Sequence, residues 1–454
     1  MKAIKREEAV RLCLEGERIS PAERKRLAAE RLRELVSYAR EHSAYYKKAY
    51  REVGEDFRLS DLPPVTKKEL MADYGAWVTD SGVTEEGVRA YISSDAALET
   101  LYLGRYTALT TSGTTGNPMP MVRDAYHNMI HGALLQTRLL REVDPELMNP
   151  VRHKIASIII LDPAVSSYSG FLKSQRANPG YEQNMLAISL TEDIDVIVEK
   201  LNRFQPDLVT GYPSILAVLG KAGQEGRLHI HPQAIACSAE MLTEKVYHTL
   251  RAAFGCPVLN NYCSTEGGEA AMSCSEGKFH VNEDWVIIES VDKDGRPVPE
   301  GSWSEGVYMT DLTNYVQPVI RYYMADRVRI VKEACPCGSS LPIMEICGRE
   351  AETVEIGGKV LFSSSFEQAL EHVPGVLAVQ MAQKGERRFY IRLVPSSEEE
   401  REKAAEEVKK RILGLFEGSG AGPVEVTVVP ERPKPNRRGG KVKFLVKEPE
   451  ERKG

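Results

Sequence analysis

Thr110-Thr111-Ser112-Gly113-Thr114-Thr115-Gly116-Asn117-Pro118 crowds hydroxyls and glycines into one short stretch between two ordinary segments. Glycines let a backbone curl until successive N–H groups converge on anionic oxygens, and Ser and Thr add side-chain donors around the same point. Such a loop suits a polyphosphate. It is not a Walker P-loop, because no Lys-Ser or Lys-Thr follows the last glycine. The plain alternative is a flexible linker, although a linker has no need of repeated Thr-Thr between fixed glycines.

A second set of chemically capable residues is Cys274-x5-His280 with Cys335-x-Cys337. Three thiolates and an imidazole complete a closed tetrahedral zinc site, which leaves no open position and so implies a structural role. Plain buried thiols are the alternative. Both segments read as turns. Cys13, Cys237, Cys256 and Cys347 read as small core residues.

Elements must hold these groups in place. Residues 1 to about 60 read as helical, with Leu27, Leu32, Leu35 and Val36 as an apolar stripe and Pro63-Pro64 as the stop; a packing appendage is expected. From about residue 150, short apolar runs alternate with helical patterns. The Ile155 to Leu161 run suits a strand buried on both faces. Ile194, Ile197, Val198 and Leu201 follow Glu192 and Asp193 at helical spacing, and Leu208-Val209 reads as a strand ending at Gly211-Tyr212-Pro213. A helix from Ser214 to Leu219, a strand Ala234-Ile235-Ala236 ending at Ser238, and a strand from Val258 ending at Tyr262 and Glu266 complete the pattern. The chemically interesting residues therefore fall at strand ends, where wound α/β sheets bind ligands. Past Gly348 the pattern changes to a small α+β unit: Val354 to Leu361, a helix from Ser364 to His372, and strands at Val376 to Met381 and Phe389 to Leu393. The Gly418 to Gly422 run imitates a dinucleotide fingerprint but precedes the strand from Val424 to Val429, so it reads as a loop.

Composition narrows the partners. With 42% hydrophobic and 27% charged residues in 454, the chain is that of a folded globular protein. A net charge of −6 disfavours nucleic acid or an anionic membrane as the partner and favours small molecules. No apolar run approaches the roughly 20 residues needed to span a bilayer. The N-terminus lacks the apolar core of a signal peptide, so a cytoplasmic, reduced location is expected for the eight cysteines. A homodimer is left open.

The glycine-hydroxyl stretch resembles the phosphate loop of the adenylate-forming superfamily of acyl-CoA synthetases, peptide-synthetase adenylation domains and luciferases. Further motifs follow in that family's order. Asn261-Tyr262-Cys263-Ser264-Thr265-Glu266 is similar to its Tyr-Gly-x-Thr-Glu element, Ser238-Ala239-Glu240 to its adenine-contacting Gly-Gly-Glu, and Pro318 to Asp326 to the segment ending in a ribose-binding Asp. Gly348-Arg349 with Gly357-Gly358 resembles the hinge, and Gly440-Lys441 the catalytic-lysine motif. The Ile-Arg-Tyr phrasing, the Cys-Pro-Cys-Gly at 335 to 338 and the short length resemble the phenylacetate–CoA ligase branch, some members of which carry similar cysteine and histidine positions. Cys263 departs from the usual glycine, Met119 from a common Lys, and Glu350-Ala351-Glu352 leaves the pivot uncertain by a residue or two.

The resemblance implies a large N-terminal α/β domain of wound sheets and helices, residues 1–347, and a mobile α+β lid, residues 348–454, hinged near Arg349. It implies ATP-dependent conversion of a carboxylic acid to an acyl-adenylate, then transfer to coenzyme A. Thr111, Ser112, Gly113, Thr114, Thr115 and Gly116 would hold the β- and γ-phosphates, Thr265 the α-phosphate, Glu266 a Mg²⁺ ion, and Asp326 the ribose; Lys441 would serve adenylation alone. Each has a plainer reading: Glu266 as an acid after a turn, Asp326 as a partner of Arg327, Lys441 as part of a solvated basic tail. Tyr168, Phe171, Tyr212, Pro213 and Cys237 are candidates for an acid pocket whose aromatic lining suggests an aryl or arylacetic acid. An amine, a carrier-protein thiol or a polysaccharide precursor could replace CoA as acceptor. A zinc-stabilised nucleotide-binding module without catalysis is the reading from another class.

Overall fold

A computed structural model describes residues 4–111, 118–161, 166–178, 180–190, 192–238, 240, 242–349, 353–357, 359–370, 373–434 and 442–449. Among them, the dominant element is a nine-stranded sheet. Its five strands Met185–Ser189, Ile155–Ile159, Leu208–Gly211, Ala234–Ser238 and Val258–Ser264 run parallel. Gly268–Ser273, Phe279–Val281, Ile343–Arg349 and Asp326–Val331 then continue it antiparallel. The Ile155–Ile159 strand is buried at every position, as a two-face-covered central strand must be.

The helices on the parallel half start and stop where local chemistry dictates. Asp193 caps Ile194–Phe204, accepting from Asp195 N, and Gln205 at φ 52° ends it. Pro213 opens Pro213–Gln224; Thr243 caps Glu244–Phe254 and Gly255, at φ 64°, closes it. Leu216 and Leu250 from these helices are fully buried with Val209 and Ile235 of the sheet. Each such leucine contributes about 1.5–3 kcal/mol relative to exposure.

The N-terminal helices Arg6–Arg18, Pro21–His42 and Ala44–Ala49 are not the appendage that the sequence pattern suggested. Leu32, Leu35, Val36 and Tyr46 belong to the same core as Met272 and Val328 of the large sheet. Buried arginines bolt them in. Arg138 makes two 2.8 Å bonds to Asp284 and one to the Cys13 carbonyl, and Arg24 donates to the Gly16 carbonyl and to Ser340. The helical stripe was legible; the partner surface, hundreds of residues away, was not.

Beyond residue 349, Val376–Lys384 and Arg388–Pro395 form a hairpin flanked by parallel pairings to Leu445–Glu448 and Glu425–Val429. The helices Ser363–Leu370 and Arg401–Ser419 cover it, giving a separate core of Phe366, Phe389, Ile391, Ile412 and Phe416. The last helix absorbs Gly418, and Gly420 at φ 70° is its cap, so the glycine run is a helix end and loop. No helix of the described residues is long and apolar enough to cross a membrane.

Candidate active site and metal centre

Parallel register assembles the candidate nucleotide edge. Gly211 pairs with Cys237 and Ser238 with Asn261, so Tyr212, Ser238, Asn261 and Tyr262 stand side by side at the C-terminal ends of three adjacent strands. The Glu240 carboxylate accepts from Ser214 N at 3.1 Å, tying the Ser238 segment to the helix that begins at Pro213. Asn261 Oδ1 is buried and has no hydrogen-bond partner among the described residues. A bare buried acceptor at this edge suits an N–H donor from a ligand.

After Ser264 the chain reverses direction. Gly267 N donates to Ser264 Oγ at 2.9 Å, and Gly268 takes φ 61°. Thr265 and Glu266 ride on this turn, half-buried. Tyr322 Oη lies 3.5 Å from the Glu266 carboxylate, and the Lys67 ammonium is its charge neighbour, pushed downward by burial and upward by Glu266. Sequence reading missed Lys67, which lies two hundred residues before its partner.

Asp326 is held by the same logic. Pro318 O accepts from Trp77 at 2.7 Å and Tyr46 at 3.0 Å, and Arg321, at φ 50°, chelates Glu289 at 2.9 and 3.0 Å. A bulky residue in the left-handed region is strained, and this pair together with the Leu62 carbonyl holds it there. The buried Asp326 then opens a strand in register with Arg349, so the ribose and hinge candidates face each other across one ladder. Arg327 reaches Glu305 at 3.2 Å.

Other expectations fall unevenly. Ser112, Gly113, Thr114, Thr115, Gly116, Ala239 and Lys441 lie outside the described residues, and of Arg349 only the backbone is described. Thr111 is buried and bonds Met119 N. On the Ser166–Ala177 helix Tyr168 stacks on Phe171 with centroids 6.3 Å apart, and Ser167 of that helix shares a hydrogen bond with Tyr212. Pro213, next to Tyr212 in sequence, is buried, and Cys237 is sealed in the core, its thiol pushed up to about 12 by burial. Cys13 and Cys256 are likewise buried, whereas Cys347 is half-buried and not a core residue. A cavity of about 480 Å³, lined by Ala28, Leu32, Ile288 and Ile330 among others, contains none of the candidate site residues.

The cysteine set converges. Ligand atoms of Cys274, His280, Cys335 and Cys337 all lie within 4.8 Å of one another. Cys274 Sγ is 3.8 Å from Cys335 Sγ, and Cys337 Sγ is 3.3 Å from His280 Nε2. His280 Nδ1 lies 3.0 Å from the Leu341 carbonyl, which can only accept, so Nδ1 carries the proton and Nε2 offers its lone pair to the thiols. Burial, and then the adjoining thiols, push Cys337 up to about 12, as expected for sulfurs too close to ionise without a cation. The donors come from a turn closed by Gly277 and from another closed by Gly338; His280 itself sits on the Phe279–Val281 strand, where a turn had been expected.

A second convergence had no counterpart in the sequence reading. Asp124 caps the Ala125–Leu134 helix and fixes His127 and His131 on one face, rings 4.1 Å apart. His127 Nδ1 lies 3.0 Å from Asp311 and 2.8 Å from Thr313 Oγ1, and His131 lies 2.8 Å from Glu269 and 3.1 Å from Thr313 Oγ1. His-x3-His spacing was a visible signal; the acids arrive from 138 and 184 positions away.

The fold is that of the adenylate-forming CoA ligases. The solved structure of 2-hydroxyisobutyryl-CoA ligase in the postadenylation state, in complex with its adenylate, matches at TM-score 0.69 and 18% identity over 95% of this chain and 91% of that one. In sequence, the chain is similar to phenylacetate-coenzyme A ligases: 24% identity to that of Thermus thermophilus, over 92% of this chain and 95% of the relative, and 29% to that of Aromatoleum evansii over 38% and 40%. No family model matches the chain.

Proposed function

We propose that this protein uses ATP to convert a carboxylic acid into an acyl-adenylate and passes the acyl group to coenzyme A. The observation that carries the reading is the register of the sheet, which aligns Tyr212, Ser238, Asn261 and the Thr265–Glu266 turn along one edge. Full-length similarity to a phenylacetate–CoA ligase supports it.

Adenylation brings a carboxylate against a triphosphate, so the protein must neutralise and align anions. In this reading Asn261 and the Ser238 strand end receive the base, Asp326 the ribose hydroxyls, and Thr265 the α-phosphate. Glu266, half-buried and beside Lys67, is the carboxylate fit to hold Mg²⁺, which when bound screens the phosphates and the departing pyrophosphate. Thr111 to Gly116 enclose the outer phosphates, and Lys441 bridges the acid and the α-phosphate. Tyr168, Phe171 and Tyr212 favour an aryl or arylacetic acid.

Residues 1–347 and 348–454 act as body and lid about the Arg349 region. Lys441 can then serve adenylation in one orientation and vacate the site in the other. Cys274, His280, Cys335 and Cys337 hold a structural Zn²⁺; four protein donors with one aligned imidazole fit that ion and leave it no catalytic position. Eight cysteines outside any disulfide fit a reducing, cytoplasmic setting.

Acid-dependent exchange of pyrophosphate into ATP, run over a panel of aryl, arylacetic and aliphatic acids, tests the first half. Adding CoA, an amine or a carrier protein identifies the acceptor. Lys441→Ala should lose most of the exchange yet still convert supplied acyl-adenylate to thioester; equal loss in both would remove the two-orientation lid. No exchange with any acid would remove the reading itself.

A further inference from the structure

The turn that carries Thr265 and Glu266 is gripped from outside the nucleotide motifs. Arg123 ends the Pro120–Arg123 strand, the continuation of the chain that leaves the glycine-hydroxyl loop. Its Nη2 donates to the Ser264 carbonyl at 3.2 Å and the Thr265 carbonyl at 2.8 Å. Two backbone oxygens of the turn are thus tied to one guanidinium.

His131 supports the turn from its other end. A Cβ added to Gly268 would fall 2.4 Å from the His131 ring, so backbone and imidazole are in direct contact. His131 Nδ1 accepts from the Glu269 amide at 2.9 Å and lies 2.8 Å from the Glu269 carboxylate. Its Nε2 faces Thr313 Oγ1 and Asp311. The Glu269 carboxylate lies beside Nδ1 and the Asp311 carboxylate 3.6 Å from Nε2, so the ring sits between two acids that favour its charged form. Burial opposes a charge on the ring, but the neighbouring Asp311 and Glu269 carboxylates outweigh it and raise His131 to about 9.

We propose that Arg123 and His131 are positioning residues that lock the Ser264–Glu269 turn to the segment following the phosphate loop, so that Glu266 is aimed only when that segment is in place. The inference rests on the metal-holding role given to Glu266 above. It assigns a task to five residues that the nucleotide motifs leave unused: Arg123, His131, Glu269, Asp311 and Thr313. Arg123 and His131 never touch the nucleotide in this account. They act through the backbone of the turn.

The test is the Mg²⁺ dependence of ATP binding, measured by calorimetry with and without the ion, on wild type, Arg123→Gln, Arg123→Lys and His131→Gln, with thermal midpoints recorded alongside. Arg123 is half-buried at a strand end, so its glutamine variant should fold even if His131→Gln does not. Loss of a group that orients a metal ligand typically costs 10–100-fold in metal affinity, so Arg123→Gln should weaken Mg²⁺-dependent binding about tenfold and leave Mg²⁺-free binding near wild type. Arg123→Lys should recover part of the loss. Unchanged Mg²⁺ dependence in Arg123→Gln, or parallel loss of both affinities in step with the thermal midpoint, would overturn the proposal. If wild type supports no acid-dependent exchange while the magnesium titration still separates the variants, the proposed reaction falls and the positioning role stands. If wild type shows no Mg²⁺-dependent binding of ATP, the positioning role falls too.

Discussion

Two buried clusters among the described residues contain histidine, and they solve the problem of charge in opposite ways. Around Cys274, His280, Cys335 and Cys337 every donor is neutral or negative, and the imidazole turns a lone pair toward the thiols. In the proposed reading an external cation completes that cluster. Around His131 the cation is built in: the ring sits between Glu269 and Asp311, and Thr313 fills the remaining hydrogen-bonding position. His127 completes it as a neutral ring, lowered to about 4 by burial and by the neighbouring imidazolium. Its Nδ1 must carry the proton, because the facing Asp311 oxygen is an acceptor. The donor atoms there are 2.5 to 3.1 Å apart along its hydrogen bonds, closer than ligands spread around a metal ion. Proximity of histidines and acids therefore does not by itself make a metal site. The count of charges decides it.

Removing metal is the hardest test of that contrast. Structural zinc contributes apparent binding energies of about 10–16 kcal/mol in small domains. Cys335→Ser should abolish close to stoichiometric zinc, measured by elemental analysis, and lower the thermal midpoint by roughly 10 °C or more. Purified wild type without zinc, or a Cys335→Ser protein with unchanged metal, would place both clusters in the same self-balanced class.

The two clusters also differ in how they could be read. The cysteine set is written in two short-range pairs, Cys274 with His280 and Cys335 with Cys337, so local spacing carries it even though the pairs meet across the sheet. Four of the five parallel strands were legible for a similar reason, since runs such as Ile155 to Ile159 declare burial on two faces within five residues; Met185–Ser189 was not read. The antiparallel extension was not, because Phe279–Val281 is three residues long and gives no period to read. His127 and His131 were visible as an i, i+4 pair, but their meaning resides in Asp311, Thr313 and Glu269. Nothing local marks those as partners. Lys67 beside Glu266, and Arg24 and Arg138 pinning the first helix, belong to the same category of long-range electrostatics.

Breaking the self-balanced cluster should cost less than losing zinc, yet more than an ordinary core change. Asp311 is fully buried, and the two histidines hold its carboxyl well below the usual range in spite of burial. Asp311→Asn leaves the His131 cation with one acid and should destabilise by about 3–5 kcal/mol, read as a fall in the urea midpoint. A change under about 1 kcal/mol would mean the cluster is held by packing alone. The pH profile follows next in size. His131 is raised to about 9 when folded, against about 6.5 in an unfolded chain, so its contribution is complete below about pH 6.5 and disappears as pH rises toward 9. The difference corresponds to about 3 kcal/mol across that window. His131→Gln should flatten this alkaline limb relative to wild type, and an unaltered limb would assign the loss to other groups.

The smallest expected effect isolates a single proton. Thr313 Oγ1 stands 2.5 Å from Asp311 Oδ1, 2.8 Å from His127 Nδ1 and 3.1 Å from His131 Nε2. A hydroxyl has one hydrogen to give and two lone pairs to offer, so it donates to the carboxylate and accepts from both rings, and it is fully used. Thr313→Val keeps the shape and removes that exchange. His131 Nε2–H is then left with Asp311 Oδ1 at 3.6 Å, too far for a good bond, while the backbone amide of residue 313 still serves the carboxylate. The expected cost is about 1–2 kcal/mol in urea unfolding at pH 7, with the alkaline limb displaced to lower pH because the imidazolium has lost a partner. Thr313→Ser should retain both the stability and the limb to within about 1 kcal/mol, since it keeps the hydroxyl and gives up a methyl. If valine and serine behave alike, the hydroxyl is a bystander, and the cluster reduces to two ion pairs that happen to share a helix face.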